Sequence, residues 1–413
     1  MEKIVFMFPG VGSQYVGMGK GFYENFKVFK ETVDEAGDVL GQNLAKMCFL
    51  DADKDELSRL ENAQLTVLTL SVGIFRVYMK EIGIKPDCCM GHSLGEYSAL
   101  CCSGVIRFAD ALELVRQRGS IIGEVSSSLE GTMMWVVNLD RGKVEAICND
   151  VCEAGKEVYI SAYDAPTQTS MSGHTDAVMT AAKQMEKAGA IVYPLKMSGP
   201  FHSPLMEEAS QRMRSTLRQY TYEDPLYPVL ANRNAQLYQG KESVIDNLSL
   251  QLISPIRWKD SLDYLAAQGV TTAIEMGPKD VLKFLVKKNS DEIQPFTMDN
   301  EADLNKLKEK YLVREDEYLG LIGKCLGVAV STKNRNHDND VYEREVVKPY
   351  MRVAALYEQW ETGGKSPTVN QVEDALKTLR SILLAKKVPE QEQQLRFNKI
   401  LGSRIIRPEA VGS

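Results

Sequence analysis

Gly91-His92-Ser93-Leu94-Gly95 follows a short apolar run, Cys88-Cys89-Met90, and precedes a stretch from Glu96 to Gly104 rich in small residues. The run reads as a buried strand and the small-residue stretch as a helix. Strand, Gly-x-Ser-x-Gly and helix in that order predict a tight turn that lifts a serine hydroxyl clear of the backbone. The flanking glycines let strand and helix approach closely, and the first helical N–H groups face any oxygen that turns negative there. A Gly-rich turn with an incidental serine has the same pattern, so the rest of the chain has to decide.

Upstream, residues 3–8 read as a fully buried strand running straight into Pro9-Gly10-Val11-Gly12-Ser13-Gln14. This is where an α/β fold brings backbone N–H groups to a ligand. Residues 21–80 are helical in pattern, with Gln64 opening the apolar run Leu65 to Phe75. Downstream, a helix is predicted from about Phe108 to Ile122. At about 100° per residue its Phe108, Ala111, Val115 and Ile122 share the inward face, and Arg118 falls among them. A guanidinium there needs an anion. Either a structural carboxylate or solvent meets it, or it clamps the carboxylate of a substrate.

From 131 to 198 the pattern is β-α-β-β-α-β, with strands at Thr132–Val137, Val158–Tyr163, Thr169–Ser172 and Ile191–Met197. That order predicts a ferredoxin-like module inserted into the larger α/β domain, which resumes at Ser198-Gly199-Pro200-Phe201-His202-Ser203. A helix to Leu217, a strand near Val229-Leu230, a helix opened by Ser254-Pro255-Ile256-Arg257-Trp258 and a strand at Thr272–Met276 follow. Beyond about residue 301 the chain is helical. Gly363-Gly364 breaks it, Ser366-Pro367 restarts it as N-cap and N1, and Val369, Val372, Leu376, Leu379 and Leu383 form an apolar stripe. The expected domains are 1–130 and 199–300 (large α/β), 131–198 (small) and 301–413 (helical appendage).

The 413 residues are 44% hydrophobic and 25% charged, with a net charge of −7. This is a soluble globular composition, set against a broad nucleic-acid face. No apolar run approaches the ~18 residues of a membrane span. The eight cysteines form no C-x-x-C and read as small core hydrophobes in a reducing cytoplasm. No metal and no cofactor are expected. The histidines are His92, His174, His202 and His337, so a base for Ser93 comes from a short roster. His202, in a loop after Gly-Pro at a domain junction, is the best placed; no strand-terminal acid stands ready, which favours an imidazole oriented by backbone carbonyls.

Residues 1 to about 300 resemble the malonyl-CoA:acyl carrier protein transacylase family, which includes discrete trans-acting acyltransferases of polyketide synthases. The stretches that carry the resemblance are Phe8–Gln14, Gly91–Leu100, Arg118-Gly119, Ser198–Ser203 and Glu275-Met276-Gly277-Pro278. The resemblance implies an α/β-hydrolase-like large domain with a ferredoxin-like small one, and a ping-pong transfer from malonyl-CoA to the phosphopantetheine thiol of an acyl carrier protein. It implies Ser93 as nucleophile, His202 as its base, and the backbone N–H groups of Val11 and Leu94 as oxyanion donors. It further implies Arg118 and Gln64 as substrate-binding, the Gln251 carbonyl as orienting the histidine, and the bulky Phe201 as excluding an α-methyl. Shape alone discriminates a methyl by about 1–3 kcal/mol.

Three positions depart from the family pattern. Val11 stands where Gln is usual, Ala162-Tyr163-Asp164 where Asn-x-Asn is frequent, and Lys279-Asp280 where Gly-Lys is common. The appendage resembles tails of acyltransferases that serve modular polyketide synthases in trans and is expected to dock on the enzyme or on a partner such as a synthase. Two other readings are an acyl hydrolase that clears carrier proteins, for which a buried Arg118 has no use, and a non-catalytic docking protein.

Overall fold

The computed structural model describes residues 2–50, 52–153, 157–195, 199–364, 366–402 and 404–407. Its strands are β1 (Lys3–Phe8), β2 (Cys88–Gly91), β3 (Gly131–Val137), β4 (Val158–Ala165), β5 (Gln168–His174), β6 (Ile191–Pro194), β7 (Val229–Leu230), β8 (Val270–Glu275) and β9 (Gln294–Thr297). The chain divides into two compact units. One is formed by Glu2–Lys80 with Lys85–Leu304, the other by Glu81–Ile84 with the residues from Asn305 onward.

In the first unit, a parallel sheet runs in the order β7-β2-β1-β8-β9. β1 lies at its centre because Ile4 to Phe8 is apolar on both faces and wholly buried, as a parallel strand covered by helices requires. Val5 and Met7 pack with Met90, Leu230 and Ala273 against the helix Trp258–Ala267. Phe6 turns to the opposite face and meets Tyr78 of the helix Leu60–Glu81 edge-on, with ring centroids 4.9 Å apart. At the end of β8, Glu275 is fully buried and accepts from the N–H groups of Leu282 and Lys283 at 3.0 and 2.9 Å, capping the helix Val281–Asn289. Burial pushes its carboxyl up to about 8.

The second sheet of this unit is antiparallel, in the order β4-β5-β3-β6, with the helices Arg141–Glu153 and Thr175–Lys187 between strands. Val136, Met171, Ala181 and Met185 fill the space beneath it. The segment expected to open a helix at Ser254 instead runs extended through Ile256. Tyr163 donates to the Ile256 carbonyl at 2.8 Å and Ile256 donates to Ser161 at 2.9 Å, so the helix starts only at Trp258. That bridge ties β4 to the larger sheet's side of the unit. The strand expected through Met197 ends at Pro194; residues 196–198 lie outside the described residues.

The second unit is built of helices, among them Tyr318–Ser331, Lys348–Gly363, Val369–Ala385 and Glu390–Leu401. Ile322, Cys325, Val372, Leu379, Leu383 and Ile400 form its core, and the whole apolar stripe from Val369 to Leu383 contributes. Its restart differs from expectation. Thr368, not Ser366, is the N-cap, because the side chain of Gln371 reaches back to the Thr368 N–H at 2.8 Å and completes a capping box. Among the described residues no helix is long and apolar enough to cross a membrane, and all eight cysteines are free thiols.

Candidate active site

β2 ends at Gly91 and the next helix begins at Gly95. Between them Ser93 sits at φ 53°, a left-handed conformation that side-chain-bearing residues seldom adopt. A Cβ on Gly91 would come within 1.9 Å of the Gly95 backbone, and one on Gly95 within 1.9 Å of the Phe8 carbonyl oxygen, so both positions demand glycine. Asn232, just past β7, fastens the turn. Its Oδ1 accepts from the Ser93 N–H at 2.8 Å and its Nδ2 donates to the Gly91 carbonyl at 2.6 Å.

His202 is buried and also left-handed, at φ 55°. Its Nδ1 lies 2.9 Å from the backbone carbonyl of Gln251, an acceptor only, so Nδ1 carries the proton. Nε2 is then a lone pair, and it accepts from Ser93 Oγ at 2.9 Å. Burial, with Arg118 nearby as a lesser cause, pushes the imidazole down to about 3. It is therefore neutral and able to take a proton at physiological pH.

Arg118 is buried on the inward face of the helix Phe108–Ser127. Nη1 donates to Gln64 Oε1, while Nη2 donates to Ser93 Oγ at 3.2 Å and to Gln251 Oε1 at 3.3 Å. Its guanidinium carbon lies 5.5 Å from the centre of the Tyr97 ring. Burial lowers its pKa, and among the described residues no carboxylate pairs with it directly. Gln64 is fully buried behind Arg118 and does not line the cleft.

The cleft over Ser93 has a volume of about 370 Å³, with Val11, Arg118, Trp135, Phe201 and His202 among its walls. Gly199 makes room for Phe201: a Cβ there would lie 2.6 Å from the ring. Leu94 opens the helix after the nucleophile, and among the described residues nothing accepts from its N–H or from that of Val11. The loop carrying Val11 is braced without a glutamine at that position. Gln14 Oε1 accepts from the Gly12 N–H at 2.7 Å, Ser13 Oγ donates to Gly10 at 2.7 Å, and Lys279 Nζ donates to the Gly12 carbonyl at 2.9 Å.

Of the other histidines with partners, His174 lies away from the cleft and His92 forms part of its wall without touching Ser93 Oγ. His174 meets Glu157 at 3.2 Å. His92 Nε2 lies 2.9 Å from Oδ1 of Asp164, whose Oδ2 accepts from Trp135 and Ser170 at 3.3 and 3.4 Å. Asp164 thus ties β4 to the serine turn. Two partners of the site escaped sequence reasoning. Asn232 follows a two-residue strand with no motif around it, and Glu96 was noticed only as part of a motif. A polar residue next to a nucleophile in an otherwise apolar or small-residue helix was the available signal for Glu96.

A serine forced into a strained turn at a helix start, with a neutral imidazole on its hydroxyl, is the arrangement of enzymes that pass an acyl group through a serine ester. The chain belongs to the acyl transferase family: the family described as "Acyl transferase domain" matches residues 5–308. It is 35% identical over 397 residues to a malonyl CoA-acyl carrier protein transacylase of Bacillus subtilis, covering 95% of this chain and 99% of that one, so the similarity reaches into the C-terminal helices. The corresponding enzyme of Escherichia coli K12 is 36% identical over 289 residues, 70% of this chain and 93% of its own. Among solved structures, a malonyl-transacylase in complex with its type II polyketide synthase acyl-carrier protein superposes with a TM-score of 0.72 at 32% identity, covering 75% of this chain and all of that one. The transacylase of Streptococcus pneumoniae gives 0.70 at 36% identity over the same shares.

Proposed function

We propose that this acyltransferase moves a malonyl group from malonyl-CoA to the phosphopantetheine thiol of an acyl carrier protein, in fatty-acid or polyketide synthesis. The observation that carries the reading is Arg118, a buried cation whose Nη2 lies 3.2 Å from Ser93 Oγ. A cation that close to the acylated oxygen meets the carboxylate of a short dicarboxylic acyl group, and no neutral acyl group needs it.

Ser93 Oγ attacks the thioester carbonyl while His202 Nε2 takes its proton. The N–H groups of Leu94 and Val11 receive the developing oxyanion. Collapse of the tetrahedral intermediate breaks the C–S bond, and the proton on His202 passes to the departing coenzyme A sulfur. The carrier-protein thiol then gives its proton to His202 and attacks the malonyl-serine ester; collapse of this second intermediate breaks the ester C–O bond, and His202 returns the proton to Ser93 Oγ. The Gln251 carbonyl keeps the ring in the tautomer both halves need, and Phe201 narrows the space beside the α-carbon. On this reading the two sheets are an α/β-hydrolase-like domain and a ferredoxin-like one, and the enzyme works in the cytoplasm. The C-terminal helices, with their core of apolar side chains around Ile322 and Leu383, are a docking appendage for a synthase served in trans.

Incubation with malonyl-CoA gives a malonyl-enzyme, seen by intact mass, that persists until holo carrier protein is added and then transfers. Rapid release of malonate without transfer makes the protein a hydrolase instead.

A further inference from the structure

Glu96 stands three residues after the nucleophile, in the first turn of the helix, with its side chain completely buried. Three donors converge on its carboxylate. Tyr238 Oη donates to Oε1 at 2.5 Å, and Gln251 Nε2 and the Asn232 N–H donate to Oε2 at 2.6 and 3.3 Å. Donors on every side are the surroundings of an ionised carboxylate. The opposing charge is Arg118, reached through one intervening amide: Gln251 Nε2 gives its hydrogens to Glu96 and to the Ser93 carbonyl, while Oε1 accepts from Arg118. Among the described residues two buried carboxylates stand at the cleft or just behind it: Asp164 is engaged by His92, Trp135 and Ser170, which leaves Glu96 as the one linked to the Arg118 cation. A malonyl carboxylate adds a second anion to the same cation, and a water-poor interior does not tolerate that surplus cheaply.

We infer that Glu96 is the resident counter-charge of Arg118 and takes up one solvent proton when the malonyl carboxylate arrives, releasing it when malonyl leaves for the carrier protein. The inference rests on Arg118 being the carboxylate clamp. Glu96 touches no reacting atom; it acts through Gln251 and Arg118 and is a positioning residue that sets selectivity for a charged acyl group. Burial already lifts its carboxyl to about 7, so neutral pH is where the exchange is easiest. The groups around it hold their charge there. Tyr238, with Arg233 behind it, and Tyr97 are raised by burial and stay protonated. Arg118 stays cationic, and His202, beside Arg118, is neutral.

The test is the ratio of kcat/KM for malonyl-CoA to that for acetyl-CoA between about pH 6 and pH 9. The malonyl carboxylate is ionised throughout, and effects of His202 cancel in the ratio. In the unmodified enzyme the ratio falls about tenfold or more across this range, since each pH unit above the Glu96 value costs up to about tenfold when a proton must be bound. In Glu96→Gln, a neutral isostere, the ratio is flat and at least as high as the unmodified enzyme's value at the acid end. A flat ratio in the unmodified enzyme overturns the inference, whether or not the variant folds. Arg118→Ala separates the two failures: loss of malonyl preference with a flat wild-type ratio removes only the Glu96 inference, while retained preference removes the Arg118 reading and the inference with it.

Discussion

Arg118 in the α/β unit and Lys386 in the helical unit are both buried cations, each with its pKa lowered chiefly by burial. Lys386 Nζ donates to the carbonyls of Ala329 and Thr332 at 2.6 and 2.9 Å, where the helix Tyr318–Ser331 ends. Carbonyls at a helix C-terminus favour a positive charge, so this ammonium closes a structural gap. Among the described residues Arg118 has only neutral acceptors, one of them the nucleophile, and it faces a cleft. Burial alone does not mark a functional cation. What marks it is a charge met by weak acceptors beside open space.

The largest expected effect tests the α/β side of this contrast. Ser93→Ala lowers malonyl transfer by on the order of 10⁴-fold or more, as loss of a serine nucleophile does elsewhere, and intact mass shows no adduct. Arg118→Ala comes next. It lowers kcat/KM for malonyl-CoA by about 10²-fold, the range for truncating one partner of a buried charge pair, and uncharged acyl-CoAs are used relatively better. Unchanged preference would put Arg118 in the same structural class as Lys386 and dissolve the comparison. Lys386→Met strips two buried carbonyls of their donor, costing about 1–3 kcal/mol of stability. Thermal unfolding of the full chain moves down by several degrees while malonyl-enzyme formation keeps its rate. A matching drop in rate would show that the lysine serves more than its own helix ends.

The smallest expected effect is a rate that holds still. Acylation by acetyl-CoA stays level from about pH 8 down to about pH 5, because burial holds the His202 imidazole down at about 3. The sign follows from the base being active when unprotonated: lowering its pKa moves the loss of activity to more acidic pH. An acid limb near the ordinary histidine value of about 6.5 would mean that water reaches the ring.

What could be read from the sequence was local. The apolar run of β1, the glycines around Ser93 and the inward phase of Arg118 each follow from a few neighbouring residues and the geometry of strand, turn or helix. The contacts that complete the site join distant positions. Asn232 reaches Ser93 across 139 residues and Tyr238 reaches Glu96 across 142, and no periodicity announces such a meeting. Asp164 stood out as a departure from the family pattern, but only the folded sheet shows that its carboxylate engages His92. Thr368 replaced Ser366 as a helix cap because two hydroxyl residues flank Pro367, and only the Thr368 spacing lets Gln371 close the box.

The sheet order has a consequence for how the chain matures. β1 lies between β2 and β8, so during synthesis it gains its second neighbour only after residue 270 has been made. The Ser93 hydroxyl likewise meets its base only when residue 202 arrives, and the base is held only when Gln251 does. Such long-range closure makes for slow, late folding. It also makes the nascent chain chemically silent, with a serine that stays an ordinary alcohol until the unit around it is nearly complete.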